Sequence, residues 1–366
     1  MQLPDFPWDT LAPAAARARS HPGGIVDLSV GTPVDPTPQV VQEALRAAAD
    51  APGYPQTWGT PALRDAVVRW FTRRRGVPDV DPDAVLPTVG SKELVAWLPT
   101  LLELGAGDVV VHPEVAYPTY DVGARIAGAT PVAADGTAQL GPATTGGRVR
   151  LLWVNSPSNP TGRVLGVGHL AKVVAWARSR GVVVASDECY AEFGWDGQEV
   201  PSILDPRVCG GSHEGLLAVY SLSKQSNLAG YRAAFVAGDP ALVQRLLAIR
   251  KHAGMIVPWP VQQAMIAALD DDAHVAEQKQ RYADRRTPLL EALTAAGFRV
   301  DHSGAGLYLW ATRDEPASVT VDALAELGIL VAPGSFYGVA GARHVRVALT
   351  ATDDRVAAAA KRLSGL

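Results

Sequence analysis

The sequence predicts an α/β protein in which a large domain with a mostly parallel sheet is joined to a small α+β domain. Three observations carry that reading. Four apolar runs of strand length recur at 108–112, 149–154, 182–188 and 216–223. Helix-favouring stretches lie between most of them, the alternation that a parallel sheet requires. A length of 366 residues also exceeds what one small core organises.

In chain order, residues 1–40 read as an N-terminal arm and part of the small domain, 41–260 as the large domain and 261–366 as the small C-terminal domain. Within the large domain, 167–180 places Leu170, Val173, Val174 and Ala177 at the three-to-four spacing of one helix face. After Pro258 and Pro260 the chain favours helix from 262 to 295, which carries it out of the large domain. The tail then alternates, with strand-like pieces at 306–312 and 344–350 and helices near 319–327 and 353–363. Ala-rich runs at 14–18 and 357–360 are helix filler.

Composition excludes several function classes. Apolar content of 48% with 19% charged residues fits a sizeable buried core, and no window approaches the unbroken apolar length of a membrane span. The first ten residues lack the basic start and apolar centre of a secretory signal, so the expected location is the cytoplasm. A net charge of −4, with acids and arginines interspersed, argues against a nucleic-acid stripe and leaves a small molecule as the expected partner. Cys189 and Cys209 form neither a disulfide framework nor a zinc array, and no His pair or carboxylate cluster stands at metal-ligand spacing.

The chemistry concentrates at the end of the fourth apolar run. Lys224 directly follows a buried strand, where an amine can be desolvated and kept deprotonated beside a second cation. Ser221 and Ser223 add hydroxyls, and Arg232 adds a fork-shaped guanidinium suited to phosphate oxygens. A phosphate cup next to a nucleophilic amine is what a pyridoxal phosphate (PLP) site needs. Asn159 and Asp187 also fall at or just after strand ends, so three strands aim polar groups at one crevice. Upstream, Gly90-Ser91-Lys92 precedes the apolar stretch 94–102 and can present backbone N–H groups to a phosphate at a helix start.

These motifs, in this order, resemble those of the fold-type I PLP-dependent aminotransferases of class I/II, and the resemblance spans nearly the whole chain. It implies a seven-stranded sheet in the large domain and PLP as cofactor. Asn159-Pro160-Thr161-Gly162 is similar to the family turn whose Asn donates to the cofactor's phenolic oxygen. Asp187-Glu188-Cys189-Tyr190 resembles the element whose acid pairs with the pyridine nitrogen and whose Tyr reaches the phenolic oxygen. The resemblance further implies that Tyr117 stacks on the pyridine ring and that Ser91, Lys92, Ser221, Ser223 and Arg232 surround the phosphate. Arg346 would clamp the substrate α-carboxylate next to Gly31 and Asn159. Tyr54 would cross a homodimer interface to the neighbour's site. Lys224, with Asp187 and Tyr190, would then carry catalysis, moving a proton between the substrate Cα and the cofactor's C4′.

Leu3-Pro4-Asp5-Phe6-Pro7-Trp8-Asp9, the segment 26–36 and Gly90-Ser91-Lys92-Glu93-Leu94-Val95 resemble a narrower group, the actinobacterial succinyldiaminopimelate transaminases of lysine biosynthesis. The reaction implied exchanges an amino group between N-succinyl-LL-2,6-diaminopimelate and 2-oxoglutarate. Its distal carboxylates call for a second cation, for which Lys92, Arg17 and Arg19 are candidates. An aspartate, aromatic or LL-diaminopimelate aminotransferase or a β C–S lyase would share every cofactor residue. A PLP-sensing regulator is disfavoured, because the match leaves no room for a DNA-binding domain. A nicotinamide enzyme is disfavoured because Gly105-Ala106-Gly107 precedes its strand and lacks a third glycine.

Overall fold

Strands buried on both faces need apolar residues at every position, and the central runs of this chain meet that need. The computed structural model describes residues 3–4, 6–136, 139–140 and 146–365. After a short strand β1 (Val26–Asp27), the large sheet is formed by β2 (Val85–Val89), β3 (Asp108–His112), β4 (Thr130–Ala133), β5 (Arg148–Asn155), β6 (Val183–Asp187), β7 (Leu216–Ser221) and β8 (Ala233–Gly238). Their spatial order is β2-β8-β7-β6-β5-β3-β4, and only β8 runs against the others. The mostly parallel sheet matches the strand–helix alternation of the sequence, and its seven strands match what the family resemblance implies.

Alternation along β7 shows how the sheet is held. Leu216, Ala218 and Tyr220 enter a core with Trp70, Phe71 and Phe235, while Leu217 and Val219 enter the opposite core with Leu94, Leu98 and Trp153. Burying each large apolar side chain contributes roughly 1.5–3 kcal/mol, so a polar substitution on either face disrupts a core. The parallel strands β5, β6 and β7 all finish at one edge, and Asn155 stands beside Asp187 in register.

A second core lies under a four-stranded sheet, β12-β13-β10-β9, made of β9 (Arg299–Asp301), β10 (Tyr308–Thr312), β12 (Ala332–Pro333) and β13 (Val345–Ala348). The first residues of the chain complete it. Leu11, and Ala14, Ala15 and Ala18 of the helix Ala12–Ser20 that follows it, pack among Leu289, Leu324 and Leu363, and β1 pairs in parallel with β11 (Ile329–Leu330). Backbone bonds from Leu28 N–H to Leu330 and from Ala348 N–H to Leu28 stitch this segment in place. The residues that follow, 29–32, are thereby delivered to the crevice at the strand ends.

Two elements differ from the sequence expectation. The predicted helix over 262–295 is two helices, Trp259–Asp270 and Ala273–Ala295, because the Asp271 carboxylate accepts the Ala273 N–H at 3.0 Å and restarts the helix. The predicted strand 216–223 stops at Ser221, whose hydroxyl oxygen accepts the Ser223 N–H at 3.2 Å and starts the short helix Leu222–Gln225. Among the described residues no helix is long and apolar enough to cross a membrane.

One buried ion pair fixes the turn between β2 and the helix Ser91–Leu101. Arg250 is fully buried and donates to both Glu93 oxygens at 2.7 and 3.1 Å, while Glu93 accepts the Val89 N–H at 3.2 Å. Arg250→Met leaves that carboxylate without its cation, at an expected cost of about 3 kcal/mol. The check is the denaturant midpoint, which falls without a change in slope.

Candidate active site

The strand ends open into a cavity of about 1260 Å³. Lys224 enters it from the first turn after β7, which the Ser221 cap turns inward. Its Nζ donates to the Gly31 carbonyl. Burial pushes the amine below its ordinary value; Tyr308 opposes that shift, while Arg346 and Arg232 reinforce it. A neutral amine in reach of a bound carbonyl carbon is a nucleophile and a base.

Next to it lies a cup for an anion. Ser221 donates to the Ser223 hydroxyl at 2.9 Å, and both serines line the cavity with Ser91 and Arg232. Arg232 holds a left-handed backbone (φ 56°) and donates to the Ala229 carbonyl at 2.8 Å. Its guanidinium lies so close to Gly90 that any Cβ there would strike it. Gly90 itself has φ 79° and precedes the helix Ser91–Leu101, whose first turn has no side-chain cap and begins with the cavity-lining Ser91.

Opposite the cup stands a buried acid. Asp187 ends β6 and accepts the Tyr120 hydroxyl at 2.8 Å and the Cys189 N–H at 3.2 Å. Burial pushes its carboxyl above the usual range, and the bonds from Cys189 and Tyr120 offset part of that shift. Asn155 holds the neighbouring turn, donating to the Asp187 carbonyl at 3.1 Å and accepting the Asn159 N–H at 2.7 Å. Asn159 accepts a bond from Arg346 at 2.9 Å, which leaves its NH2 group to donate into the cavity. Tyr190 closes this side, its hydroxyl 3.0 Å from that of Tyr308.

Arg346, on β13, is buried beneath the segment 29–31. It donates to the Ser29 carbonyl at 2.6 Å, and its Nε is buried with no partner. Lys92 sits at the mouth, exposed, with Nζ 5.7 Å from the Phe6 ring centroid and 5.9 Å from that of Tyr117. Phe6, Trp8, Phe336 and Tyr337 line the same mouth. Of the N-terminal motif, Asp5 lies outside the described residues.

The catalytic, cofactor and α-carboxylate residues expected from the sequence therefore line one cavity except Tyr54, which is wholly exposed on this single chain. The expectation for Arg17 and Arg19 as distal cations is corrected. The helix that carries them packs beside Ala317–Glu326, where Arg17 pairs with Asp322 at 2.7 Å and Glu326 at 3.1 Å, and Arg19 faces solvent. Sequence reasoning assigned no role to Tyr120, Asn155 or Tyr308. Tyr120 stands one helical turn after Tyr117, and that spacing was the available signal. Nothing local marks Tyr308, which reaches Tyr190 across 118 positions.

The family model for aminotransferase class I and II matches residues 24–363. The chain is a class I/II aminotransferase. It is 65% identical over 99% of its length to a probable aminotransferase of Mycobacterium tuberculosis, covering 85% of that protein. It is 61% identical to the 4-dedimethylamino-4-oxo-anhydrotetracycline transaminase OxyQ of Streptomyces rimosus, over 99% of both chains. Among solved structures, a probable N-succinyldiaminopimelate aminotransferase from Thermus thermophilus superposes with a TM-score of 0.87 at 29% identity, over 98% of this chain and 100% of that one.

The enzyme's cofactor is PLP, as in its family. The cavity fits it on its own evidence. A buried acid held by two donors suits a protonated ring nitrogen, the Gly90–Arg232 contact leaves a cradle without side-chain bulk, and the lowered Lys224 amine suits an aldehyde. The reaction uses amino acids and 2-oxo acids, the substrates of the family.

Proposed function

We propose that the enzyme is an N-succinyl-LL-2,6-diaminopimelate:2-oxoglutarate aminotransferase that serves diaminopimelate and lysine synthesis in the cytoplasm. The observation that carries this reading is the pair of cations at two depths of one cavity. Arg346 is buried and Lys92 is exposed at the mouth, where Lys92 makes no ion pair among the described residues. A donor with an α-carboxylate at one end and a succinyl carboxylate at the other would engage both. The cavity supports it too, because it exceeds the roughly 300–1,000 Å³ of a single small-molecule site and has room for a cofactor with an extended donor. The name of the Thermus thermophilus neighbour points the same way.

In this reading Arg346 takes the α-carboxylate as a fork, with Asn159 fixing the guanidinium plane. Gly31 holds Lys224 over the reacting side of the cavity. Bound PLP supplies the electron sink that makes the substrate Cα acidic. With PLP bound, Lys224 would be the base that accepts the Cα proton, Asp187 would hold the ring nitrogen protonated, and Tyr190 would steady the phenolic oxygen. The working unit is a homodimer in which the exposed Tyr54 reaches the neighbouring site.

A second reading rests on the aromatic mouth. Phe6, Trp8, Tyr117, Phe336 and Tyr337 offer ring faces, and the enzyme is 61% identical to a transaminase of a 4-oxo-anhydrotetracycline. Initial rates with glutamate and each keto acceptor, and with N-succinyl-LL-diaminopimelate or unsuccinylated LL-diaminopimelate as donor, separate the readings. The succinylated donor is expected to give the highest kcat/KM, and Lys92→Met is expected to raise its KM about tenfold while leaving that for glutamate near wild type. Turnover of the tetracycline ketone without turnover of the succinylated donor would favour the second reading.

A further inference from the structure

We propose that Tyr308 is a positioning residue, whose ring sets the plane of the Arg346 guanidinium and whose hydroxyl holds the Tyr190 phenol. The inference rests on the reading of Arg346 as the carboxylate anchor.

Tyr308 and Arg346 lie on neighbouring antiparallel strands, β10 and β13, in a register that pairs Tyr308 with Ala348 and Trp310 with Arg346. The side chains of Tyr308 and Arg346 meet inside the cavity. The guanidinium carbon stands 4.0 Å from the Tyr308 ring centroid and 5.0 Å from that of Tyr337, close enough for a cation–π contact with each. With Nη1 on Asn159 and Nη2 on the Ser29 carbonyl, the ring faces remove the remaining freedom of the group. The buried, unpartnered Nε marks the donor left over.

The hydroxyl end does separate work. It stands 3.0 Å from the Tyr190 hydroxyl, with the rings edge-on at 69°. It also packs against Gly31 so tightly that a Cβ there would collide with it, and Gly31 is the acceptor for Lys224. Burial pushes the Tyr308 phenol up, but Arg346, Lys224 and the Tyr190 bond outweigh burial and hold it below the usual range. Burial pushes Tyr190 well up. Either hydroxyl can donate in this bond, so each phenol holds the other in place. The other titratable groups facing Tyr308 are Cys189, Tyr282 and Tyr337. One phenol thus touches the anchor for the substrate carboxylate, the phenol beside the reacting centre and the turn that holds the lysine.

The test uses PLP-loaded enzyme, with maleate as a non-reacting dicarboxylate whose dissociation constant is read from the visible band. Tyr308→Leu removes the ring face and is expected to weaken maleate at least about fivefold, with a matching rise in substrate KM and a smaller change in kcat. Tyr308→Phe keeps the ring and is expected to bind maleate as wild type does. Its visible band should titrate with a midpoint moved by roughly half a pH unit, because Tyr190 has lost its hydrogen-bond partner. Wild-type maleate affinity in Tyr308→Leu overturns the ring's role. An unmoved midpoint in Tyr308→Phe overturns the hydroxyl's role, whether or not the leucine variant folds. Arg346→Lys is the control: if it weakens maleate while Tyr308→Leu does not, only the Tyr308 proposal fails. If it leaves maleate unchanged, the anchor reading fails and takes the proposal with it.

Discussion

Lys224→Arg will lower kcat by about 10²–10⁴-fold, the usual yield of a positioned acid–base group. Burial, reinforced by Arg346 and Arg232, pushes the amine below the ordinary lysine value and so favours its neutral form. Arginine fills the same space and keeps its charge at every working pH, so it can neither attack an aldehyde nor accept a Cα proton. The pH dependence carries a sign. An amine that must be free gives a rate that rises with pH through its lowered pKa, and the acidic limb of kcat/KM should stand below the ordinary lysine value of about 10.4. In Lys224→Arg that limb disappears, and single-turnover kinetics show the loss in the chemical step.

Asp187→Asn will lower kcat by at least about 10²-fold, the scale on which one aimed electrostatic group acts in a desolvated site. The amide keeps the bond from Tyr120 but cannot hold a ring nitrogen protonated. It should also weaken PLP by about tenfold or more, since a charge-assisted bond contributes about 1.5–3 kcal/mol. The folded-state carboxyl pKa is raised by burial, so in the cofactor-free protein the ionised acid opposes folding once the pH passes the unfolded value. Apo Asp187→Asn should therefore melt at or above apo wild type near neutral pH, whereas the PLP-loaded variant should melt below loaded wild type. Opposite shifts in the two states separate an electrostatic role from a merely structural one.

Much of this site was legible because its chemistry is local in sequence. Lys224, Ser221, Ser223 and Arg232 fall within one turn region after β7, and Asp187 and Asn159 end or follow β6 and β5. The strands β3, β5, β6 and β7 were legible because both of their faces are buried. The edge strand β4 was not: Thr130 and Ala133 are exposed and Pro131 breaks its pattern. Ala-rich β8 carries too little β-branched character to be told from helix. Contacts across the fold were beyond reach, since Tyr120 on Asp187 and Tyr308 on Tyr190 depend on how distant segments pack. Arg17 went astray for the same reason, because its acids at 322 and 326 lie on another helix.

The central claim is that this cavity transfers an amino group from a donor anchored at both ends, with Lys224 as the reacting amine. It is tested most directly by the visible spectrum of PLP-loaded enzyme titrated first with glutamate and then, on fresh enzyme, with N-succinyl-LL-diaminopimelate. Each donor is expected to convert the lysine-bound cofactor band to that of the amine form, and 2-oxoglutarate to reverse the change. Conversion by glutamate alone would contradict the proposed substrate, and a band that neither donor moves would contradict the assignment of Lys224.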